Sequence, residues 1–171
     1  MPHFAHLLLP ILVLSPLLAG TSECAIPGAV EMRPGVFILK GGATPSLYPA
    51  LTRQRITHII DLRADGEITA ESAFQFTLLQ DMKIQYMRYA TSHVPPIVDL
   101  DFVRTLLKAL PAGSRIVVTC VNGNRAAAAV CPWLVLDQGM EVEEAMTASS
   151  RAGLRMAETE VVIRKYMRDR M

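Results

Sequence analysis

The sequence is poor in the residues on which several common classes of protein depend. It has 3 Cys in 171 residues, too few for a small domain held together by disulfide bonds. Its 4 His are scattered, and no group of Cys, His and carboxylates has metal-ligand spacing, so we expect neither a metal site nor a cofactor. A formal net charge of +1 excludes a nucleic-acid-binding protein that works by bulk electrostatics.

The remaining composition is that of a folded domain. Apolar residues make up 51% of the chain and charged residues 19%, which excludes intrinsic disorder. The 10 Gly and 11 Pro have no period, which excludes a collagen-like chain. We find no internal repeat and no linker, so we expect residues 25–171 to form one domain.

The start of the chain contains the only long apolar run. Residues 7–19 read LLLPILVLSPLLA, which is shorter than the roughly 20 residues a membrane-spanning helix needs, and the run contains two prolines. Small residues follow in GTSECA. We interpret residues 1–24 as a secretory signal peptide, with an uncleaved anchor or a wrongly assigned start codon as the alternatives. This predicts a secreted or periplasmic protein whose mature chain does not enter the membrane.

Strand and helix patterns alternate along the rest of the chain. Residues 25–35 have no clear pattern and are expected to form an irregular lead-in. Apolar, β-branched or alternating runs predict strands at 36–39, 56–62, 84–89 and 116–119. Helical spacing predicts helices at 46–54, 68–82, 100–110, 126–136, 141–152 and 156–169. The alternation predicts a single-domain α/β fold with a central, mostly parallel sheet of four or five strands flanked by helices.

The segment VVTCVNGNRA is the most informative part of the chain for function. A buried strand ends at Cys120, a short loop containing Gly123 follows, and Arg125 stands at the start of a small-residue helix. Ligands bind at the carboxyl ends of strands in such sheets. Loop amides, a helix N-terminus and the planar guanidinium of Arg125 together suit an oxyanion, and the same positive field favours a thiolate on Cys120.

These residue types predict a nucleophilic cysteine beside an anion cradle. The predicted cradle consists of Val121, Asn122, Gly123, Asn124 and Arg125. Cys120 would attack phosphorus or sulfur in an oxyanion. The structural alternative is that Cys120 is a small buried hydrophobic residue, as we expect for Cys131 within the next helix.

The loop resembles the phosphate-binding loop of the cysteine-based protein tyrosine and dual-specificity phosphatases. It is most similar to that of a bacterial branch, the beta-lactamase-hydrolase-like phosphatase domain. The resemblance extends to further segments: GVFI with ATPS, ITHIIDLR with Gly66-Glu67, and the stretch from Gly139 to Leu154. It implies a phosphatase-like fold and a hydrolase that acts on phosphate monoesters, of protein or small-molecule substrates, through a phosphocysteine.

The loop also departs from the usual pattern of that superfamily. Four residues, rather than five, separate Cys120 from Arg125, Thr119 stands where a His is usual, and Ala126 replaces a common Ser or Thr. Small rhodanese-like sulfurtransferases carry a similar loop, with a persulfide on the cysteine. A sulfurtransferase and a non-catalytic anion-binding relative therefore remain alternatives to the phosphatase.

Phosphoryl transfer to a cysteine also needs a proton for the leaving oxygen. The resemblance implies that an Asp supplies it from a loop before the catalytic strand, and Asp99 and Asp101 lie in that region. Either one is alternatively a carboxylate that stabilises the start of a helix, and His93 is a further candidate. Arg63 and Glu67 either line the pocket or form a surface pair.

Overall fold

The computed structural model describes residues 26–42 and 44–171. The predicted signal peptide lies outside the described residues and stays a prediction. Within the described residues, no helix is long and apolar enough to cross a membrane.

A five-stranded sheet forms the centre of the described part of the chain. Its strands are β1 (Ala29–Arg33), β2 (Val36–Lys40), β3 (His58–Asp61), β4 (Gln85–Arg88) and β5 (Ile116–Cys120). The strand order is β1-β2-β5-β3-β4, and all neighbours are parallel except β1 and β2. The predicted mostly parallel α/β fold is therefore confirmed.

Six α-helices flank this sheet in the described residues. They are α1 (Tyr48–Arg53), α2 (Phe76–Asp81), α3 (Ile97–Ala109), α4 (Asn124–Leu136), α5 (Val142–Ala152) and α6 (Ala157–Arg168). Helices α3 to α6 contribute to the apolar core on one face of the sheet, whereas α1 and α2 contribute to the core on the other face. The central strand β5 separates the two cores and is buried along its whole length.

Two expectations about secondary structure are wrong. The predicted irregular lead-in contains the edge strand β1, which pairs with β2 through a turn where Gly35 has a φ of +84°. Only Met32 of β1 is buried. An edge strand that buries one side chain needs no apolar run, so the sequence AVEMR gives little sign of a strand. The helix predicted over 68–82 is confined to α2, because Thr69 and Ser72 hydrogen-bond to each other locally and compete with helix formation.

A buried ion pair fixes the chain just after β3. Asp61 and Arg63 are both almost fully buried, and the Arg63 Nη2 lies 2.6 Å from the Asp61 Oδ2. The Tyr86 hydroxyl also donates to Asp61, and Arg63 donates to the carbonyl of Ser72. The pair thus holds the segment that follows β3 against the sheet, next to the carboxyl end of β5.

We predict that Asp61→Asn destabilises the fold by about 3–5 kcal/mol, because it leaves the Arg63 guanidinium buried without a counter-charge. The matched control is Asp65→Asn, which removes an exposed partner of Arg88 and should produce no measurable change. Urea unfolding of the two variants measures the difference. Equal midpoints would contradict a structural role for the buried pair.

Candidate active site

Cys120 ends the central strand and is fully buried. Its carbonyl accepts a hydrogen bond of 2.8 Å from the amide of Gly41. The hydroxyl of Thr119 donates to the carbonyls of Leu39 and Gly41, at 3.0 and 2.7 Å. The end of β2 therefore holds the cysteine backbone in place, and Thr119 fixes the turn that follows β2.

The loop after Cys120 is closed tightly by two glycines. Gly123 has a φ of +92° and Gly153 a φ of +121°, conformations that L-residues rarely adopt. A Cβ on Gly123 would overlap the carbonyl of Ala152, and one on Gly153 would overlap the carbonyl of Asn122. The four-residue loop therefore packs directly against the end of α5.

One loop amide points at the sulfur. The Gly123 N–H donates to the Cys120 Sγ over 3.2 Å. The next amide, that of Asn124, donates instead to the Asn122 side chain at 3.1 Å. This amide and the N-terminus of α4 both place positive partial charge beside the sulfur. The geometry thus suits a nucleophilic thiolate.

Asn124 has a role that sequence reasoning missed. Its predicted place in the anion cradle, which rests on the loop backbone, stays a prediction, whereas its side chain is buried and makes four hydrogen bonds within the protein. Its Nδ2 donates to the His93 carbonyl and the Thr159 hydroxyl, and its Oδ1 accepts from the amides of Arg155 and Met156. Asn124 therefore binds α4 to the loop before α3 and to the start of α6.

Arg125 is also buried, with 2% of its surface exposed. Its Nη1 donates to the carbonyls of Leu62 and Thr91, and its Nη2 donates to both carboxylate oxygens of Glu67 at 2.9 and 2.7 Å. These contacts engage both terminal nitrogens of the guanidinium. The Nε of Arg125 has no hydrogen-bond partner among the described residues.

Glu67 and Arg63 were expected either to line the pocket or to form a surface pair. The surface pair is wrong, because Glu67 makes a partly buried pair with Arg125 whereas Arg63 pairs with the buried Asp61. Burial alone would raise the pKa of Glu67. Hydrogen bonds from the Ala64 amide and from Arg125 outweigh burial and hold that pKa below its ordinary value.

The two candidate proton donors lie in different surroundings. The Asp99 carboxylate accepts hydrogen bonds from the hydroxyls of Tyr89 and Thr91, and the Thr91 carbonyl in turn accepts one from Arg125. Asp101 instead bonds to Tyr166 and Arg170, at the end of α6. The structure therefore connects Asp99, but not Asp101, to Arg125. His93 is exposed, and its carbonyl bonds to Asn124.

Comparisons with known proteins identify the fold. No model of a known protein family matches the sequence, and no curated protein matches it. Solved structures match the fold closely, however. Tk-PTP in its active form superposes with a TM-score of 0.66 at 16% identity, over 85% of this chain and 99% of that chain. The chain has the fold of the cysteine-based tyrosine and dual-specificity phosphatases.

Two further structures support the same fold. A human tyrosine phosphatase-like serine/threonine/tyrosine-interacting protein superposes with a TM-score of 0.67 at 22% identity, over 82% of this chain and 96% of its own. A putative phosphatase (DUF442) from Shewanella putrefaciens CN-32 gives 0.65 at 15% identity, over 88% of this chain and 99% of its own. The expected resemblance to this superfamily is therefore confirmed at the level of fold.

We predict that Asn124→Ala lowers the free energy of unfolding by about 2–4 kcal/mol, because it leaves partners on two segments, the loop before α3 and the start of α6, without a hydrogen bond. The matched control is Asn122→Ala, which removes an exposed amide two residues away and should cost less than about 1 kcal/mol. Chemical unfolding distinguishes the two. Similar losses in both variants would contradict the role assigned to Asn124.

The depressed pKa of Glu67 predicts a pH-dependent contribution to stability. A carboxylate whose pKa is lowered by folding stabilises the fold above its unfolded-state pKa, and this contribution is lost as the pH falls through the lowered value. The difference in unfolding free energy between the unmodified chain and Glu67→Gln should therefore be greatest near neutral pH. It should shrink as the pH falls below about 4.5. If urea titrations gave the same difference in unfolding free energy at every pH, a stabilising ion pair between Glu67 and Arg125 would be contradicted.

Proposed function

We propose that this chain is a cysteine-dependent hydrolase of phosphate monoesters. The observation that carries the proposal is the hydrogen bond from the Gly123 N–H to the Cys120 Sγ. This bond lies at the carboxyl end of the central strand of a tyrosine-phosphatase fold. The Cys120 thiolate attacks phosphorus, so that an S–P bond forms while the P–O bond to the leaving group breaks. Water then attacks phosphorus, releases inorganic phosphate and regenerates the thiolate.

The donors proposed for the phosphoryl oxygens are the amides of residues 121–125 other than those of Gly123 and Asn124, together with the Nε–H of Arg125. The terminal nitrogens of Arg125 are engaged by Glu67 and by two carbonyls, which fix the orientation of the guanidinium before substrate binds. Preorganised donors of this kind stabilise the charge that develops on phosphoryl oxygens in the transition state. In the proposed mechanism, Glu67 positions Arg125 and does not contact the substrate.

Asp99 is the proton donor of the proposed mechanism. It lies at the start of α3 and is bonded to Thr91, whose carbonyl bonds to Arg125. Asp101 is held by Arg170, 3.0 Å away, and is therefore the weaker candidate. In its protonated form, Asp99 would transfer a proton to the oxygen of the departing alcohol.

One observation favours a second candidate function, that of a phosphate-binding relative without catalysis. Both terminal nitrogens of the Arg125 guanidinium already bond to protein groups, and Ala126 supplies no hydroxyl beside the thiolate. Such a protein would bind a phosphorylated partner but would not turn it over. The structure of the site is compatible with binding through the same amides.

We predict that the reduced protein hydrolyses 4-nitrophenyl phosphate and that Cys120→Ser abolishes turnover, because an alcohol at this site is a far weaker nucleophile than a thiolate. The matched control is Cys131→Ser, in the interior of α4, which should retain activity. The assay is release of 4-nitrophenolate, with release of thiocyanate from thiosulfate and cyanide measured in parallel.

Three outcomes of this assay would contradict the proposal. Thiocyanate formation without phosphatase activity would establish the sulfurtransferase. Absence of both products, together with saturable phosphate binding in a separate calorimetric titration, would establish the binding protein. Equal loss of turnover in the two Cys variants would show that Cys120 has no special role.

We predict that Asp99→Asn slows the hydrolysis of phenyl phosphate far more than that of 4-nitrophenyl phosphate. Phenolate is a poor leaving group that needs a proton, whereas 4-nitrophenolate leaves readily without one. We expect a loss of about 100-fold or more for the phenyl ester. The control Asp101→Asn should reduce the two rates, if at all, by the same factor. A loss confined to phenyl phosphate in Asp101→Asn, with equal losses for the two esters in Asp99→Asn, would identify Asp101 as the proton donor.

A further inference from the structure

A second cleft lies at the opposite end of the sheet from Cys120. Its volume is about 440 Å³, within the usual range for sites that bind small molecules. Ile116, the first residue of β5, lines this cleft, whereas Cys120 is the last residue of the same strand. Its walls are formed by the turn after β1, the end of α3, the 111–114 turn and the end of α4. It is therefore distinct from the candidate active site.

The cleft combines an apolar floor with an excess of positive charge. Its apolar lining consists of Pro34, Val36, Leu107, Leu110, Pro111 and Ile116. Its charged lining residues are Arg33, Lys108 and Asp137. Asp137 is already engaged by Arg104 at 2.5 Å and by Lys108 at 3.4 Å.

Arg33 is the cation of the cleft that lacks a counter-charge. In the part of the chain that the structure describes, no carboxylate pairs with it, and its Nη1 donates to the neutral side chain of Gln138 at 2.6 Å. The other N–H groups of a guanidinium are suited to the two oxygens of one carboxylate.

Trp133 contributes a hydrogen-bond donor without an acceptor. Its side chain lines the cleft with 6% of the residue exposed, and its Nε1 is buried with no partner among the described residues. A buried N–H without an acceptor costs free energy, and buried polar groups in proteins nearly always have a partner. An acceptor atom on a ligand in the cleft would remove this cost.

We propose that this cleft binds a small organic monocarboxylate with an apolar body. The apolar floor accommodates the body, and Arg33 and the Trp133 N–H receive the carboxylate. Among the described residues, Arg33 is the one cation of the cleft without a counter-charge, so the cleft matches a single negative charge better than a dianion such as phosphate. The proposal does not depend on the chemistry of Cys120.

The composition of the chain supplies a direct probe of this site. Trp133 is the only Trp in the sequence, so the tryptophan fluorescence of the full chain reports on this cleft alone. We expect 4-phenylbutyrate to change the Trp133 emission saturably. The uncharged 4-phenylbutanamide and inorganic phosphate should have no effect at the same concentrations. A response to the amide equal to that of the acid, or a response to phosphate, would overturn the proposal.

Variants locate the binding site. Arg33→Gln should weaken the binding of 4-phenylbutyrate by at least about tenfold, the usual consequence of losing a charge-assisted hydrogen bond. Arg53→Gln removes the same charge from the exposed end of α1 and should leave binding unchanged. Trp133→Phe keeps an aromatic ring but removes the N–H, and calorimetry should show weaker binding by this variant.

The same titration separates this site from the candidate active site. Cys120→Ser should bind 4-phenylbutyrate as the unmodified chain does. Unchanged affinity in Arg33→Gln, with its fold verified by circular dichroism, would overturn the proposal. Loss of affinity in Cys120→Ser would place the ligand at the cysteine loop and would overturn it equally.

Discussion

The start of α4 is held by two adjacent buried polar side chains, and the arrangement of the candidate site depends on them. Asn124 and Arg125 are almost fully buried, and burying polar or charged groups is unfavourable unless they are hydrogen-bonded. Their partners lie on segments far apart in the sequence: the turn after β3, the loop before α3 and the start of α6. The hydrogen bonds of these two side chains therefore hold three segments beside the loop that carries Cys120.

The close approach of Gly123 to Gly153 completes this constraint. A loop of four residues leaves little freedom in the path from β5 to α4, and both glycines have backbone conformations that favour glycine. The loop therefore closes against the end of α5, and the Gly123 amide points at the Cys120 sulfur. In the proposed function this shortened loop binds the anion, although the Asn124 amide already donates to the Asn122 side chain.

The sequence was informative about the parts of the fold that have strong local patterns. The apolar run of β5 and the Cys-loop-helix order predicted the central strand and the position of Cys120 correctly. The edge strand β1 was missed because it buries only Met32, and α2 was predicted too long because local bonds of Thr69 and Ser72 interrupt the helical spacing. Partners such as Glu67 for Arg125 are 58 residues apart, so no local pattern reveals them.

The central claim is that Cys120 forms a covalent bond to phosphorus. The most direct measurement is mass spectrometry of the protein after rapid denaturation during turnover of 4-nitrophenyl phosphate, followed by trypsin digestion. Cleavage after Arg115 and Arg125 releases the peptide IVVTCVNGNR, which contains Cys120 as its only cysteine. The proposed mechanism predicts one phosphoryl group on this peptide, attached to sulfur. Turnover with this peptide unmodified, or with a phosphoryl group on another peptide, would contradict the mechanism.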